Sequence, residues 1–166
     1  MKSEAQYDLI AIGGGTAGLV AAAGAVGVGA PRVALIERDR LGGECLWTGC
    51  VPSKALIACA RAAHEVHTAG RFGVRANDVS IDAVAVWDWV RNARARIEPH
   101  DSPDRFRALG VEVIKGEACF TGERALRVGD RSMTAKRIVL ATGSRPVLPP
   151  VDGLKEGAFY TNETLF

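Results

Sequence analysis

The spacing of hydrophobic and polar positions predicts an ordered series of elements. Tyr7–Ile12, YDLIAI, is a short, mostly apolar run of the kind that forms a buried strand. Three glycines follow, and Thr16 to about Val28 is alanine-rich and predicts a helix. RVALIE, Arg32–Glu37, predicts a second strand ended by charge. Strand, glycine turn, helix and strand within about 30 residues make a βαβ unit, so the sheet that begins here is parallel. Pro52 to about Val66 carries alanine and leucine at helical spacing, and RFGVRANDVS reads as loop. Ile81–Ile97 predicts an amphipathic helix with Val84, Trp87 and Val90 on one face. A short helix over Ser102–Leu109 follows, with Ser102 as its cap and Pro103 at its first position.

From Val111 the rhythm shortens. VEVI, EACF, RALRV and KRIVLAT predict strands, with TGE and GDRS as tight turns between them. These form a small antiparallel meander whose last strand returns to the main sheet at Ile138–Ala141. PVLPPVDG, Pro146–Gly153, is an extended exit, and AFYTNETLF reads as a linker.

Composition narrows the classes. The chain has 166 residues, 48% hydrophobic and 24% charged, and is globular. A net charge of +2 with no block of five like charges gives a nucleic-acid partner no support. Arg91, Arg94 and Arg96 read as a solvated helix face. Leu9–Ala30 is uncharged and long enough to span a bilayer, but its seven glycines oppose a continuous helix. Asp8 and Glu4 stand where a signal peptide needs positive charge, so neither membrane nor export is expected. Four cysteines do not make a disulfide scaffold, and a reducing cytoplasm is the default compartment.

Gly13, Gly15 and Gly18 spell G-x-G-x-x-G between the first strand and helix, where a dinucleotide site requires it. The first glycine permits the turn, the second lets backbone approach a pyrophosphate, and the third lets the helix pack closely. The helix N-terminus offers free N–H groups to phosphates. Glu37, nineteen residues after Gly18 and at the end of the next strand, is placed to accept hydrogen bonds from ribose hydroxyls.

GGECLWTGCVPSK, Gly42–Lys54, carries the remaining chemistry. Five residues of regular helix would hold the Cα atoms of Cys45 and Cys50 roughly 8–9 Å apart, whereas a disulfide needs less than about 7 Å. A bond between them therefore requires irregular backbone, for which Gly49 and Pro52 supply the means. Lys54, four residues after Cys50, would favour a thiolate. Alternatives stay open at this level: a nucleotide-binding module whose cysteines are idle, or a zinc module built from Cys45, Cys50, His64 and His67. Cys59 and Cys119 read as small buried hydrophobes, and no metal ligand is otherwise expected.

The cysteine motif, placed after a GxGxxG unit and a strand ending in Glu37, resembles the pyridine nucleotide–disulfide oxidoreductases. IVLATGSRPVLPPVDG, Ile138–Gly153, is similar to that family's second FAD-contacting segment. Glu44 and Trp47-Thr48 depart from the Thr and Asn-Val common there and lean toward a mercuric-reductase-like branch. The resemblance implies an α/β, Rossmann-like FAD-binding domain with a parallel sheet, a small antiparallel meander and a helical excursion. It implies that Gly13, Gly15, Gly18 and Glu37 hold the ADP half of FAD, with Thr16, Ala17, Arg38 and Gly43 as further cofactor-binding candidates. Gly116 to Ala118 would pass the adenine, and Thr142 and Gly143 would line the pyrophosphate region. Cys50 would lie beside the flavin, Cys45 would exchange with substrate, and Lys54 would sit near the reactive flavin nitrogen. Electrons would run from NAD(P)H through FAD to the Cys45–Cys50 disulfide, and on to a disulfide, lipoyl or mercuric substrate. A nicotinamide domain and a catalytic-His interface domain are expected beyond this portion, with residues 1–150 as the FAD unit and 151–166 as a linker toward them. The parent is expected to be a homodimer.

Overall fold

The computed structural model describes residues 6–76, 78–154 and 159–166. Its elements run β1 (Tyr7–Ile12), α1 (Thr16–Gly27), β2 (Val33–Glu37), α2 (Gly43–Trp47), α3 (Cys50–Thr68), α4 (Ala83–Ile97), α5 (Pro103–Ala108), β3 (Val111–Lys115), β4 (Ala118–Gly122), β5 (Ala125–Val128), β6 (Arg131–Leu140) and α6 (Asn162–Leu165). The strands form one sheet in the order β3-β2-β1-β6-β5-β4. The first four are parallel to one another, with Leu9 opposite Val33, Val33 opposite Val111, and Ile10 opposite Ile138. The expected α/β architecture is present.

β6 belongs to both halves of the sheet. Its first residues, Arg131–Thr134, pair antiparallel with β5, and its later residues pair parallel with β1. The meander turns are two residues each, Glu123-Arg124 and Gly129-Asp130. The turns and the return of the last strand to the main sheet are as the sequence predicts, but VEVI, expected in the antiparallel meander, is β3, the parallel edge strand beside β2 at the other side of the sheet.

Strand alternation sends residues to two cores. Ala11, Val33 and Leu35 face α1 and α5, meeting Leu19, Ala22 and Phe106. Ile10, Ile12, Ala34 and Ile36 face the opposite side, where Leu126, Val128 and Met133 of the meander cover them. The parallel strands are thus buried on both faces, which is why they read as continuous apolar runs rather than as alternation. The uncharged stretch 9–30 is divided among β1, the glycine turn and α1. No helix among the described residues is long and apolar enough to cross a membrane.

The helical excursion lies between β2 and β3, with α3 packed on α4. Asp82 caps α4, accepting from the Val84 and Ala85 N–H groups. Of the stripe expected on α4, Val90 is 1% exposed and Trp87 half-buried, but Val84 is 70% exposed. The first turn is held by its cap rather than by packing. Ser102 caps α5 as expected, with Pro103 at the first position.

Candidate cofactor cleft and cysteine pair

The glycine turn closes against its neighbours backbone to backbone. Gly13 has φ 107°, and its N–H donates to the Ile36 carbonyl at 2.8 Å. A Cβ on Gly13 would stand 2.1 Å from the Ala141 oxygen, and one on Gly18 would stand 1.8 Å from the Gly13 oxygen. Gly43, the first residue of α2, approaches Gly15 so closely that its Cβ would lie 2.6 Å from the Gly15 Cα. The nucleotide turn and the cysteine-bearing helix therefore touch through glycines.

Glu37 ties this region together. Its Oε2 accepts from the Gly14 N–H at 2.6 Å, and its Oε1 accepts from the Asp39 N–H at 2.7 Å. A carboxylate oxygen has more than one lone pair, so both retain acceptor capacity toward a ligand.

A cleft of about 710 Å³ opens at the carboxyl ends of the parallel strands. This is the topological switch point, with β2 on one side of β1 and β6 on the other, where ligands of doubly wound sheets bind. Gly13 and Gly15 form one wall, Glu37 and Arg38 another, and Gly43 lines it from α2. Gly116 and Ala118 enter from the β3–β4 connection, and Thr142 and Gly143 from the segment after β6. Residues separated widely in sequence converge here, and their glycines leave the floor as bare backbone. Thr16, Ala17 and Gly18, on the first turn of α1, lie outside that lining, and so do Cys45 on α2 and Cys50 and Lys54 on α3.

The cysteines sit at a break between two helices. α2 ends at Trp47, Thr48 (φ −136°, ψ 4°) and Gly49 (φ −124°, ψ −109°) leave helical geometry, and Cys50 begins α3. The backbone between them is irregular, as a bond between their sulfurs requires. Here both are thiols, Cys45 half-buried and Cys50 exposed. The two side chains are hydrogen-bonded, which pushes the Cys45 thiol above its ordinary pKa, with burial adding to the effect. The Thr16 hydroxyl, bonded to the same thiol, acts in the opposite direction. Cys50 is the first residue of the 19-residue α3. Lys54 is exposed, one turn further along α3.

Sequence reasoning missed the contacts that hold α2. The Trp47 indole donates to the Leu41 carbonyl at 2.7 Å, and the Arg40 guanidinium stacks 3.7 Å above its ring. Asn162 in α6 donates to Glu44 at 3.0 Å. Arg94 donates to the Trp47 carbonyl at 3.1 Å and is half-buried, which corrects its reading as part of a solvated face. These are single long-range contacts with no local periodicity to announce them. His64 and His67 are exposed on α3, and His67 Nδ1 is bonded to the Ala63 carbonyl. Among the described residues, no group of three or more His, Cys, Asp or Glu side chains converges to hold a metal.

Residues 7–165 match the family described as pyridine nucleotide-disulphide oxidoreductase. The chain belongs to that family. It is 38% identical over 153 residues to dihydrolipoyl dehydrogenase 2, chloroplastic, of Arabidopsis thaliana, covering 89% of this chain and 27% of that protein. It is 32% identical over 170 residues to a mercuric reductase of Streptomyces lividans, covering 99% and 36%. A dihydrolipoyl dehydrogenase of Geobacillus stearothermophilus is 34% identical, covering 87% and 31%. The chain spans between 27% and 36% of the length of these relatives. Both branches of the pyridine nucleotide-disulphide oxidoreductases are represented, so Glu44 and Trp47 do not by themselves assign the chain to one.

Proposed function

We propose that this chain is the FAD-binding, dithiol-bearing portion of a flavoprotein that passes electrons from NAD(P)H to the Cys45–Cys50 pair and on to a disulfide, lipoyl or mercuric substrate. The observation that carries the reading is the joining of two sites in one place: the glycine turn at the switch-point cleft, packed through Gly15 and Gly43 onto the helix that carries Cys45. Residues 1–150 would form the cofactor-binding unit and 151–166 lead toward a nicotinamide-binding domain.

The residues present fit a dinucleotide. Gly13 and Gly15 offer backbone without side chains, and Glu37 holds the Gly14 N–H while keeping capacity for a ribose hydroxyl. Gly116 and Ala118 would flank the adenine, Thr142 and Gly143 the pyrophosphate, with Arg38 and Gly43 on the walls. Bound flavin supplies two-electron exchange between a nicotinamide and sulfur. The chain's own part lies in the thiols. Cys45, half-buried on α2, serves as the exchange thiol and attacks as its thiolate, and Cys50 at the start of α3 is the sulfur beside the flavin.

The test is the visible spectrum of the purified chain after mixing with FAD and gel filtration, repeated after denaturation. Flavin recovered near one per chain supports the reading. A protein that stays colourless refutes the cofactor site. Cys45→Ser should retain flavin binding and lose dithiol reactivity; loss of flavin on that change counts against the assigned roles.

A further inference from the structure

We infer that Arg94 is a positioning residue for the Cys45–Cys50 pair, tying the carbonyl that ends α2 to the main-chain oxygen of Phe166. The inference rests on the reading of that pair as redox-active.

α2 is five residues long, too short to hold itself against the cost of helix nucleation. The carbonyl of Trp47, its last residue, is one of those that a helix end leaves without an intrahelical partner. Arg94 Nη1 supplies that partner at 3.1 Å and donates equally to the Phe166 oxygen at 3.0 Å. A cation there also suits the negative end of the helix. Trp47 lies between the two cysteines, so pinning its carbonyl fixes the Thr48–Gly49 break across which the thiols meet.

Both ends of the tie are anchored. Arg94 is carried on α4, whose Val90 is buried, and Phe166 packs edge-on against Trp87 of the same helix with ring centroids 6.2 Å apart. A second strut, Asn162 to Glu44, joins α6 to the first turn of α2. The neighbouring arginines are engaged elsewhere: Arg91 pairs with Asp88, and Arg96 lies over Trp89. Of the three, Arg94 alone turns toward the cysteine segment.

Holding the sulfurs together raises the effective concentration of each for the other and so favours the disulfide. In exchange with oxidised glutathione, the Cys45 and Cys50 thiols lose two electrons and two protons as their S–S bond forms. One glutathione disulfide takes them up and leaves as two glutathione thiols.

The experiment equilibrates the folded chain in glutathione buffers and counts thiols by mass spectrometry after acid quenching. Arg94→Met should lower the equilibrium constant for disulfide formation about tenfold, the worth of one hydrogen bond from a charged donor. Arg94→Lys, which can reach one carbonyl, should lose roughly threefold, by the same measure. Leu126→Ala, which removes packing from the meander core far from α2 and α4, should lower the melting temperature and leave the constant within about twofold of the parent's. A Met variant whose constant equals the parent's, whatever its melting temperature, overturns the inference. Should that variant not fold, an unchanged constant in Arg94→Lys overturns it and a threefold loss supports it. A parent chain that forms no disulfide refutes the redox reading itself, a separate result from equality between variants.

Discussion

Gly18→Ala and Gly24→Ala make the same chemical change in the same helix, and the structure predicts opposite outcomes. At Gly18 the new methyl would stand 1.8 Å from the Gly13 oxygen and 3.0 Å from its carbonyl carbon. Both are backbone atoms of the turn, and the turn is itself held by the Gly13 N–H bond to Ile36. Relief therefore means moving α1 off β1, with a cost of about 2–4 kcal/mol. Helix propensity offsets at most about 1 kcal/mol. At Gly24 nothing lies within 4 Å of the methyl, so only the propensity gain of about 0.5–1 kcal/mol remains. The two variants should differ by about 3 kcal/mol, which for a domain of this size separates their melting temperatures by about 6–12 °C. Thermal melts followed by circular dichroism, with urea titration for the free energies, measure this. A Gly18→Ala variant that melts within about 1 °C of Gly24→Ala would refute the argument that the turn and α1 meet backbone to backbone. The same variant should fail to retain flavin, since the floor of the cleft moves with the turn.

Glu37→Ala leaves the Gly14 and Asp39 N–H groups without their carboxylate, and should weaken flavin affinity at least about tenfold by fluorescence titration. Cys50→Ala removes the hydrogen bond that raises the Cys45 pKa, so the pH profile of Cys45 alkylation should move to lower pH; a profile that stays in place would show that Cys50 is not the cause. Tyr7, buried and bonded to Glu112, has its pKa pushed up to about 12, burial being the larger cause. Because the folded state holds that proton more tightly, the stabilisation is complete below pH 10 and is lost between about pH 10 and 12, amounting to about 2–3 kcal/mol. Tyr7→Phe should flatten that limb of the unfolding free energy against pH.

What was legible in the sequence was what local pattern encodes. The βαβ start could be read because β1 and β2 are apolar runs and Gly13 and Gly18 are each demanded by a close backbone neighbour. The Ser102-Pro103 start of α5 and the turns of the meander carry their chemistry in adjacent residues. Gly13 and Glu37 could be read from local pattern at the ends of β1 and β2, whereas Gly116 and Thr142 were expected only from the family resemblance; all four line the cleft. What could not be read is held by solitary contacts across the fold. Nothing near Asn162 points to Glu44, and nothing near Arg94 distinguishes it from Arg91 and Arg96. Val84 has the spacing of a core residue, yet whether a stripe is buried along its whole length depends on the partner helix.

The strand shared between the two halves of the sheet has a consequence for how the chain acquires its fold. Among these six strands β1 is made before the others and β2 follows soon after, but the other edge of β1 is completed only by β6. Tyr7 meets Ala135 across 128 residues, and the N–H of Gln6 meets the Thr134 hydroxyl. Pairings so distant in sequence are slow to form, since a long loop must close before any contact rewards it. Until about residue 140 has been made, the edge of the central strand is open, a template for pairing with another chain. The meander cannot finish earlier and wait, because its last strand is the one that seals β1. Synthesis speed through the 130s, and any chaperone that covers a bare strand edge during it, would therefore bear directly on the yield of folded protein.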